Sequence, residues 1–246
     1  VCQAVCFAHS RGIVHLDLKP SQVMIGDFGE VLLMDWGLAM YVGNLPDFGE
    51  VSAPLHLFPI RETAYCPAGT PGYMAPEQTN PDASGLGYWT DVYLLGGILF
   101  NILTGSTPHG GSGTTEAFRR AANGQVVSWE EAAPGRAIPD PLRDLANAAL
   151  TPAPKKRPPA TEFLERLQEH LRGEGRRKES TELTRRVAQA QQRRTYGEYA
   201  EALTRLERAR VLWPSNPEHD ALRERLVGEY AELALAKGDL ALAEAE

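Results

Sequence analysis

The sequence predicts a mainly α-helical fold that carries one small β-hairpin and continues into an α-helical repeat region. Three observations support this class. Apolar residues recur at helical spacing through most of residues 89–171. Near the start, two short apolar runs flank a cluster of turn-forming residues, which is typical of a hairpin. Beyond residue 181, the pattern is that of two amphipathic helical pairs.

The first elements are a helix, a loop and the hairpin. Residues 1–11 place apolar side chains at helical spacing, and a glycine then closes the helix. Residues 13–20 are predicted to form a loop, because the proline at their end opposes a helix. Val23–Ile25 and Val31–Met34 are short apolar runs, and the turn formers at residues 26–29 between them predict a β-hairpin.

The middle of the chain combines a long loop with helices. Residues 35–77 contain many Gly and Pro and little periodicity, so they predict one long loop, a feature that usually serves function. The most apolar stretch, Val92–Leu103, is shorter than the roughly 20 residues that a bilayer requires, so it predicts a buried core helix. The predicted helices are Trp89–Leu103, Thr115–Ala122, Pro141–Leu150 and Ala160–Leu171.

Composition and cysteine content restrict the class of protein. The 246 residues carry a net charge of −7, which argues against binding nucleic acid over the whole surface. The three cysteines are odd in number and form no CxxC pair, so a reducing cytoplasm is expected. Cys2 and Cys6 are four residues apart on a helix face, and we interpret them as small buried hydrophobes rather than a metal or redox site.

Neither a signal peptide nor a membrane span is evident in the sequence. The chain starts at Val1 within a helical pattern, and it ends at Glu246 within another. We therefore expect the natural protein to extend upstream and further repeats to follow.

Six short motifs occur in one order between residues 15 and 158. Each is weak alone, but together, at these intervals, they resemble the C-terminal lobe of eukaryotic-type Ser/Thr protein kinases. The resemblance covers about residues 1–172 and implies an α+β kinase fold, of which only the C-lobe is present. The motifs are His15-Leu16-Asp17-Leu18-Lys19-Pro20-Ser21-Gln22, Asp35-Trp36-Gly37, Gly69-Thr70-Pro71-Gly72-Tyr73-Met74, Ala75-Pro76-Glu77, Asp91-Val92-Tyr93 and Arg157-Pro158.

The resemblance implies specific roles in phosphoryl transfer, a reaction that depends on positioning and on neutralising phosphate charge. Asp17 would accept the proton of the attacking hydroxyl, and Lys19 would contact the γ-phosphate of ATP. Asp35, with Gln22 as the second ligand, would hold Mg²⁺, which prefers oxygen ligands. We therefore expect the carboxylates of Asp17 and Asp35 to lie on opposite sides of the terminal phosphate.

Further residues are implied to organise the site. Thr70 lies in the activation segment, Glu77 and Arg157 form a buried ion pair that holds this segment to the lobe, and Asp91 braces the catalytic loop. The alternative interpretation, from the residues alone, is that Glu77 and Arg157 are ordinary surface charges. In the same interpretation, Asp91 is a favourable charge at a helix N-terminus. His15 is interpreted as a packing and hydrogen-bonding residue rather than an acid or base.

The tripeptide Asp-Phe-Gly, which spells the metal motif of the family, occurs at residues 27–29 and 47–49. Neither copy is assigned to the metal, because the first lies in the hairpin turn and the second follows no strand. Asp35 follows the second strand of the hairpin, and a tight turn returns the end of that strand beside Gln22. Trp36 replaces the Phe of the family and is expected to pack inward.

The sequence departs from the family in three ways. Leu16 replaces an Arg that contacts a phosphorylated residue, so we expect activity to be independent of that contact, whether or not Ser52 or Thr63 is phosphorylated. Gln22 replaces an Asn and moves the amide oxygen one methylene outward. Because Mg²⁺ requires near-ideal ligand distances, this change is unfavourable for binding at the second metal position. The Gly-rich loop, strand Lys and helix Glu of the N-lobe are not in this chain, so the chain alone is not expected to phosphorylate a substrate.

The C-terminal part predicts a linker followed by helical repeats. Residues 173–181 are polar, charged and contain glycine, so they predict a linker, and residues 182–246 form the repeat region. This region resembles incomplete tetratricopeptide repeats, which would bind protein or peptide partners on a concave face. The residues that carry the resemblance are Gly197, Glu198, Tyr199, Ala202, Leu206, Ala209 and Pro214, then Ala231, Ala234, Gly238, Asp239, Leu240 and Ala243.

Gly197 and Ala202 are expected to let two helices approach closely, and Pro214 is expected to end the second helix. Gly238 lies 41 residues after Gly197, whereas the repeat period is about 34. A plain amphipathic hairpin or a coiled coil is therefore the alternative. The basic groups at 176–178, 185–186 and 193–194 are interpreted as solvated side chains rather than a surface for lipid or nucleic acid.

Two functions of different classes follow from these residues. The first is an ATP- and Mg²⁺-dependent Ser/Thr protein kinase, similar to those of bacterial signalling, with a repeat-based arm that docks partners. The second is a pseudokinase scaffold that binds partners without catalysis, which Gln22 favours and which Asp17, Lys19 and Asp35 together oppose. A gene fragment that makes no working protein is a third reading.

Overall fold

The computed structural model describes residues 1–43, 58–60, 63–64, 66–189 and 195–239. The chain divides into two compact units, residues 1–168 and residues 169–246, each with its own apolar core. The described part is mainly helical, as the sequence predicts. Some positions in the sequence predictions lie outside the described residues: Ser52, the second Asp-Phe-Gly at 47–49, the basic pair at 193–194, Leu240 and Ala243.

Eight α-helices are formed by the described residues. None of them has both the length and the hydropathy of a membrane span. The structure adds the short helix α4, which the sequence analysis does not predict. The helices are α1 Cys2–Ser10, α2 Tyr88–Thr104, α3 Thr114–Ala122, α4 Trp129–Ala132, α5 Asp140–Ala149, α6 Ala160–Gln189, α7 Tyr196–Leu212 and α8 His219–Ala236.

The strands form two small antiparallel pairs. β2 (Val23–Ile25) pairs with β3 (Val31–Leu33), with Met24 opposite Leu32, which confirms the predicted hairpin. β1 (Ile13–Val14) pairs with β4 (Met40–Tyr41), although both lie in segments predicted as loops. The loop prediction is wrong there, because two-residue strands are too short to create an alternating pattern.

Helix α2 forms the centre of the first unit. Its residues 90–100 are all buried, which confirms the predicted core helix. α5 packs closely against it, because a Cβ at Gly96 would lie only 2.7 Å from the Cβ of Ala149. The cysteines Cys2 and Cys6 are partly buried and pack against the same core. Within the described ranges, no group of three or more His, Cys, Asp or Glu side chains is arranged to hold a metal.

Helix α6 corrects the predicted linker. The helix is predicted to end at Leu171, but it continues to Gln189, so residues 173–181 are helical rather than irregular. Ser180 is fully buried within this stretch, and its hydroxyl donates to the carbonyl of Ala209 at 2.7 Å. Tertiary packing therefore overrides the two glycines that predict a break.

The second unit packs α7 and α8 around a small core. Tyr199, Ala202 and Leu226 are buried there, and α7 ends at Leu212, shortly before Pro214, as predicted. The expected close approach at Gly197 is wrong, because Gly197 is exposed and no described atom lies within 4 Å of its Cβ position. The assignment of this unit to tetratricopeptide repeats stays a prediction.

Candidate active site

Asp17 and Lys19, in the loop between β1 and β2, lie against Thr70 from a distant part of the chain. The Asp17 carboxylate accepts a hydrogen bond from Lys19 Nζ at 2.7 Å through Oδ2 and from Thr70 Oγ1 at 2.7 Å through Oδ1. Lys19 Nζ also donates to Thr70 Oγ1 at 2.7 Å, which closes a triangle. Asp17 and Lys19 keep 12% and 20% of their side-chain surface exposed, so the cluster is desolvated but open to a ligand.

The hairpin places Asp35 beside Gln22, as the sequence predicts. Gln22 Nε2 donates to Asp35 Oδ2 at 2.9 Å, and the amide of Met34 donates to the carbonyl of Gln22 at 2.9 Å. Asp35 has a positive φ of 58°, and only it and Leu16 do so among the described non-glycine residues. Strained backbone of this kind persists where surrounding contacts hold it, often at functional sites.

His15 joins the Asp17 loop to the segment that carries Asp35. Its Nδ1 accepts from the Asp17 amide at 3.3 Å, so Nε2 carries the proton and donates to the Met34 carbonyl at 3.0 Å. The ring also packs against Trp36, with centroids 4.6 Å apart. This buried histidine therefore has the packing and hydrogen-bonding role that the sequence predicts.

Asp91, at the start of α2, holds the backbone of the same loop. Its Oδ2 accepts from the His15 amide at 2.8 Å, and its Oδ1 accepts from the Leu16 amide at 2.8 Å. The Leu16 carbonyl accepts from Gln78 Nε2 at 2.7 Å. Leu16, whose φ is 67°, is thus held from both sides. His9 Nε2 lies 2.9 Å from Asp91 Oδ2.

The Leu16 side chain lies in an apolar environment. It is buried in a cluster with Val14 and Met40, and Cys66 packs against that cluster. Thr63, one of the two phosphorylation candidates, is exposed, and its hydroxyl pairs with the backbone of Ile60.

Glu77 and Arg157 form a buried pair. Arg157 Nη1 and Nη2 donate to the two carboxylate oxygens of Glu77 at 2.6 and 2.9 Å. The other three N–H groups donate to backbone carbonyls, so all five donors of the guanidinium are used. Those carbonyls belong to Thr151, Pro152 and Trp89. The Arg157 guanidinium also stacks over the Tyr93 ring at 4.7 Å, and burial raises the pKa of Tyr93.

The structure thus joins Asp17, Lys19 and Thr70 through hydrogen bonds to the contacts of Asp91, Gln22 and Asp35, by way of the backbone and ring of His15. Glu77 and Arg157 form a separate buried pair. Gln78 and His9 contact the loop that carries Asp17 and its partner Asp91, and no sequence pattern predicts these two contacts. No spacing rule relates either residue to its partner, because 62 and 82 residues separate them in the chain. Asp27, in the rejected first Asp-Phe-Gly, is exposed in the hairpin turn.

The chain is similar in sequence to known proteins. The sequence profile described as protein kinase domain matches residues 1–167. Serine/threonine-protein kinase PknD of Protochlamydia amoebophila (strain UWE25) is 36% identical over 157 residues, which cover 61% of this chain and 16% of that protein. The PknD of Chlamydia felis (strain Fe/C-56) is 36% identical over 178 residues, which cover 70% of this chain and 18% of that protein.

A third relative has a similar identity and coverage. The PknD of Chlamydia caviae (strain ATCC VR-813 / DSM 19441 / 03DC25 / GPIC) is 35% identical over 184 residues, which cover 70% of this chain and 18% of that protein. The chain therefore spans less than a fifth of the length of these three relatives.

Proposed function

The chain belongs to the protein kinase family, and on that premise we propose that it serves the transfer of the ATP γ-phosphate to Ser or Thr hydroxyls of protein substrates. One observation carries the proposal. The carboxylate of Asp17, the ammonium of Lys19 and the hydroxyl of Thr70 form a closed triangle, and His15 ties this triangle to the segment that carries Asp35. A carboxylate beside a cation is what proton acceptance and phosphate binding require.

In this proposal, each polar group has one task. Asp17 orients the substrate hydroxyl and accepts its proton, because its Oδ1 already receives the Thr70 hydroxyl in the position that a second hydroxyl would take. Lys19 releases Thr70 and contacts the γ-phosphate, whose charge its ammonium neutralises. Asp91 keeps the loop backbone fixed while this happens, since its carboxylate accepts from the amides of His15 and Leu16.

The residues at Asp35 fit a magnesium ion. Asp35 offers carboxylate oxygens and Gln22 an amide oxygen, and both belong to the oxygen ligands that Mg²⁺ prefers. The 2.9 Å contact brings the two side chains to one place, and reversing the Gln22 amide would turn its oxygen toward that place. Mg²⁺, when bound, neutralises phosphate charge. In the proposal, Asp35 and Gln22 hold it.

The scaffold alternative also has an observation in its favour. Gln22 engages Asp35 through its amide nitrogen, so the carboxylate assigned to the metal is already paired. A pseudokinase would bind partner proteins through the same surfaces without transferring phosphate.

The second unit is proposed to dock proteins or peptides. α7 and α8 form a helical pair that shares a core with the end of α6, and helical pairs are the units that repeat proteins stack. A reducing cytoplasm is the proposed location, supported by three cysteines that are all free. Substrates and docking partners on this proposal are proteins rather than nucleic acids.

The test is transfer of radiolabelled phosphate to a protein substrate by the full-length natural protein. Asp17→Asn removes the proton acceptor while keeping the shape, so we expect turnover to fall about 10²- to 10⁴-fold. Asp27→Asn is the matched control, because it makes the same substitution at an aspartate that is exposed in the hairpin turn. A wild-type protein that binds partners but transfers no phosphate would support the scaffold instead.

A further inference from the structure

A cavity lies away from Asp17 and Asp35, on the α1 side of the first unit. α1, the start of α2 and residues 154–161 line a solvent-open cavity of about 670 Å³. This volume is in the range of small-molecule sites, which span roughly 300–1,000 Å³. The walls are mostly apolar and include Tyr88, Trp89, Val92, Pro158 and Pro159. A ligand of this cavity would therefore need an apolar body.

The positive groups on the cavity wall define the charge of such a ligand. Arg157 is neutralised by Glu77, and all five of its donors are used. His9 is paired with Asp91. Lys155 is exposed, and no carboxylate of the described residues forms an ion pair with it. One uncompensated positive charge therefore lies at the edge of an apolar cavity, which favours a molecule with a single anionic group.

His9 connects the cavity wall to the loop that carries Asp17. Its Nε2 lies 2.9 Å from Asp91 Oδ2, and the same oxygen accepts from the His15 amide at 2.8 Å. Its ring packs against Tyr88, another wall residue, with centroids 5.0 Å apart. Any contact that fixes the His9 ring therefore also restrains the carboxylate that holds the loop backbone.

We propose that this cavity binds small monocarboxylates with an aromatic or aliphatic body, and that His9 transmits their binding to residues 13–18. The carboxylate pairs with Lys155, while the apolar body fills the space between Tyr88, Trp89 and the prolines. The ligand restricts His9 and thereby stabilises the hydrogen bonds from Asp91 to the loop. Asp17, Lys19 and Asp35 do not line this cavity, and neither of the tests below depends on phosphate transfer.

The binding test uses calorimetric titration of this chain with indole-3-acetate and octanoate. We expect both to bind, and we expect indole-3-acetamide, the neutral analogue, to bind at least about fivefold more weakly. Lys155→Met should weaken binding of the carboxylates about fivefold, whereas its matched control Lys156→Met, one residue away and also exposed, should not. Ser10→Trp, at the exposed edge of the cavity, should block binding.

The proposal is overturned if neither carboxylate binds, if the amide binds as tightly as the acid, or if Lys156→Met weakens binding as much as Lys155→Met. Ser10→Trp with unchanged affinity would show that the probe binds elsewhere, which also overturns it.

The transmission test follows hydrogen exchange of the His15 and Leu16 amides with and without indole-3-acetate. We expect the probe to slow their exchange about fivefold in the wild type. His9→Phe keeps a ring against Tyr88 but loses the N–H. In this variant the probe should still bind, but it should no longer slow the exchange of the His15 and Leu16 amides. His9→Gln retains a donor and should recover part of the effect. An effect of equal size in His9→Phe, or uniform slowing across α2 and α5, would contradict transmission through His9.

Discussion

At the residue scale, Arg157 shows that a buried charge is stable only when hydrogen bonds and an opposite charge compensate it. Its side chain pairs with Glu77, which keeps only 8% of its own side-chain surface exposed. Arg157→Met would leave that carboxylate buried without a cation, so we expect the free energy of unfolding to fall by about 3–5 kcal/mol. Urea denaturation of this chain measures the change, followed by tryptophan fluorescence in a Trp213→Phe background that restricts the signal to the first unit.

Two comparisons isolate the buried charge as the cause. The double variant Arg157→Met/Glu77→Met should recover part of the loss, because no unpaired charge remains. Arg143→Met removes an exposed i,i+3 pair with Asp140 and should cost less than about 1 kcal/mol. If Arg143→Met cost as much as Arg157→Met, burial would not be the reason for the effect.

His109 is a second buried polar residue, and it carries a pH dependence. Its Nδ1 lies 2.7 Å from the Gln125 carbonyl, and its Nε2 lies 2.9 Å from the Met74 carbonyl and 3.1 Å from the Tyr93 hydroxyl. Burial is the largest influence and lowers the pKa of His109, although the two carbonyls oppose it. The folded protein therefore keeps this ring neutral at a pH where an exposed histidine is charged.

The lowered pKa of His109 predicts that the first unit loses stability in mild acid. Below the unfolded-state pKa of about 6.5, the unfolded chain binds a proton that the folded chain does not, so stability falls by up to about 1.4 kcal/mol per pH unit. His109→Phe removes this titration and should flatten the dependence, although it destabilises the fold overall. Urea denaturation at pH 7.5, 6.5 and 5.5 measures both slopes. Equal slopes in the two proteins would exclude His109 as the titrating group.

At the element scale, α6 forms where the sequence predicts a linker. Gly173 and Gly175 lie within the helix, and neither has a positive φ. Ion pairs one turn apart support the exposed face, as between Glu174 and Arg177 at 2.9 Å. On the other face, Thr184 is buried, and its hydroxyl receives the Asn216 side-chain amide at 3.2 Å. Contacts distant in sequence thus stabilise a helix that local propensity opposes.

Replacing the two glycines of α6 by alanine is expected to raise the free energy of unfolding. Gly173→Ala combined with Gly175→Ala should raise the free energy of unfolding by about 1–2 kcal/mol, because alanine costs less backbone entropy in a helix. Urea denaturation followed by circular dichroism at 222 nm measures it. Gly105→Ala is the matched control: Gly105 ends α2 with a φ of 83°, so the same substitution should destabilise. No gain from the double variant would favour an irregular linker.

The hairpin is the element that sequence patterns predict best. Val23–Ile25 and Val31–Leu33 pair over three residues each, and the turn between them returns the chain to Gln22. The prediction works because the partners are close in the chain and the turn residues fix the pairing. The same reasoning correctly places Asp35 beside Gln22. The assignment of the metal to Asp35 rather than Asp27 stays a prediction.

At the scale of the whole molecule, the candidate site of the first unit is assembled around one buried helix. α2 supplies Asp91 to the loop that carries Asp17 and the Trp89 carbonyl to Arg157, which in turn binds Glu77. The loops that carry the polar side chains are thereby fixed by a rigid core element, which is the usual way in which folds position functional residues. The second unit has a separate core built from α6, α7 and α8.

The sequence by itself determined the mainly helical class, the hairpin, the core helix α2 and the polar residues of the candidate site. These features depend on local spacing, turn chemistry and motif order, which the chain records directly. The tertiary structure decided the closed Asp17, Lys19 and Thr70 triangle, the roles of Gln78 and His9, and the helix through residues 173–181. The physical reason is distance along the chain: these contacts join residues up to 82 positions apart, and only packing around buried helices brings such residues together.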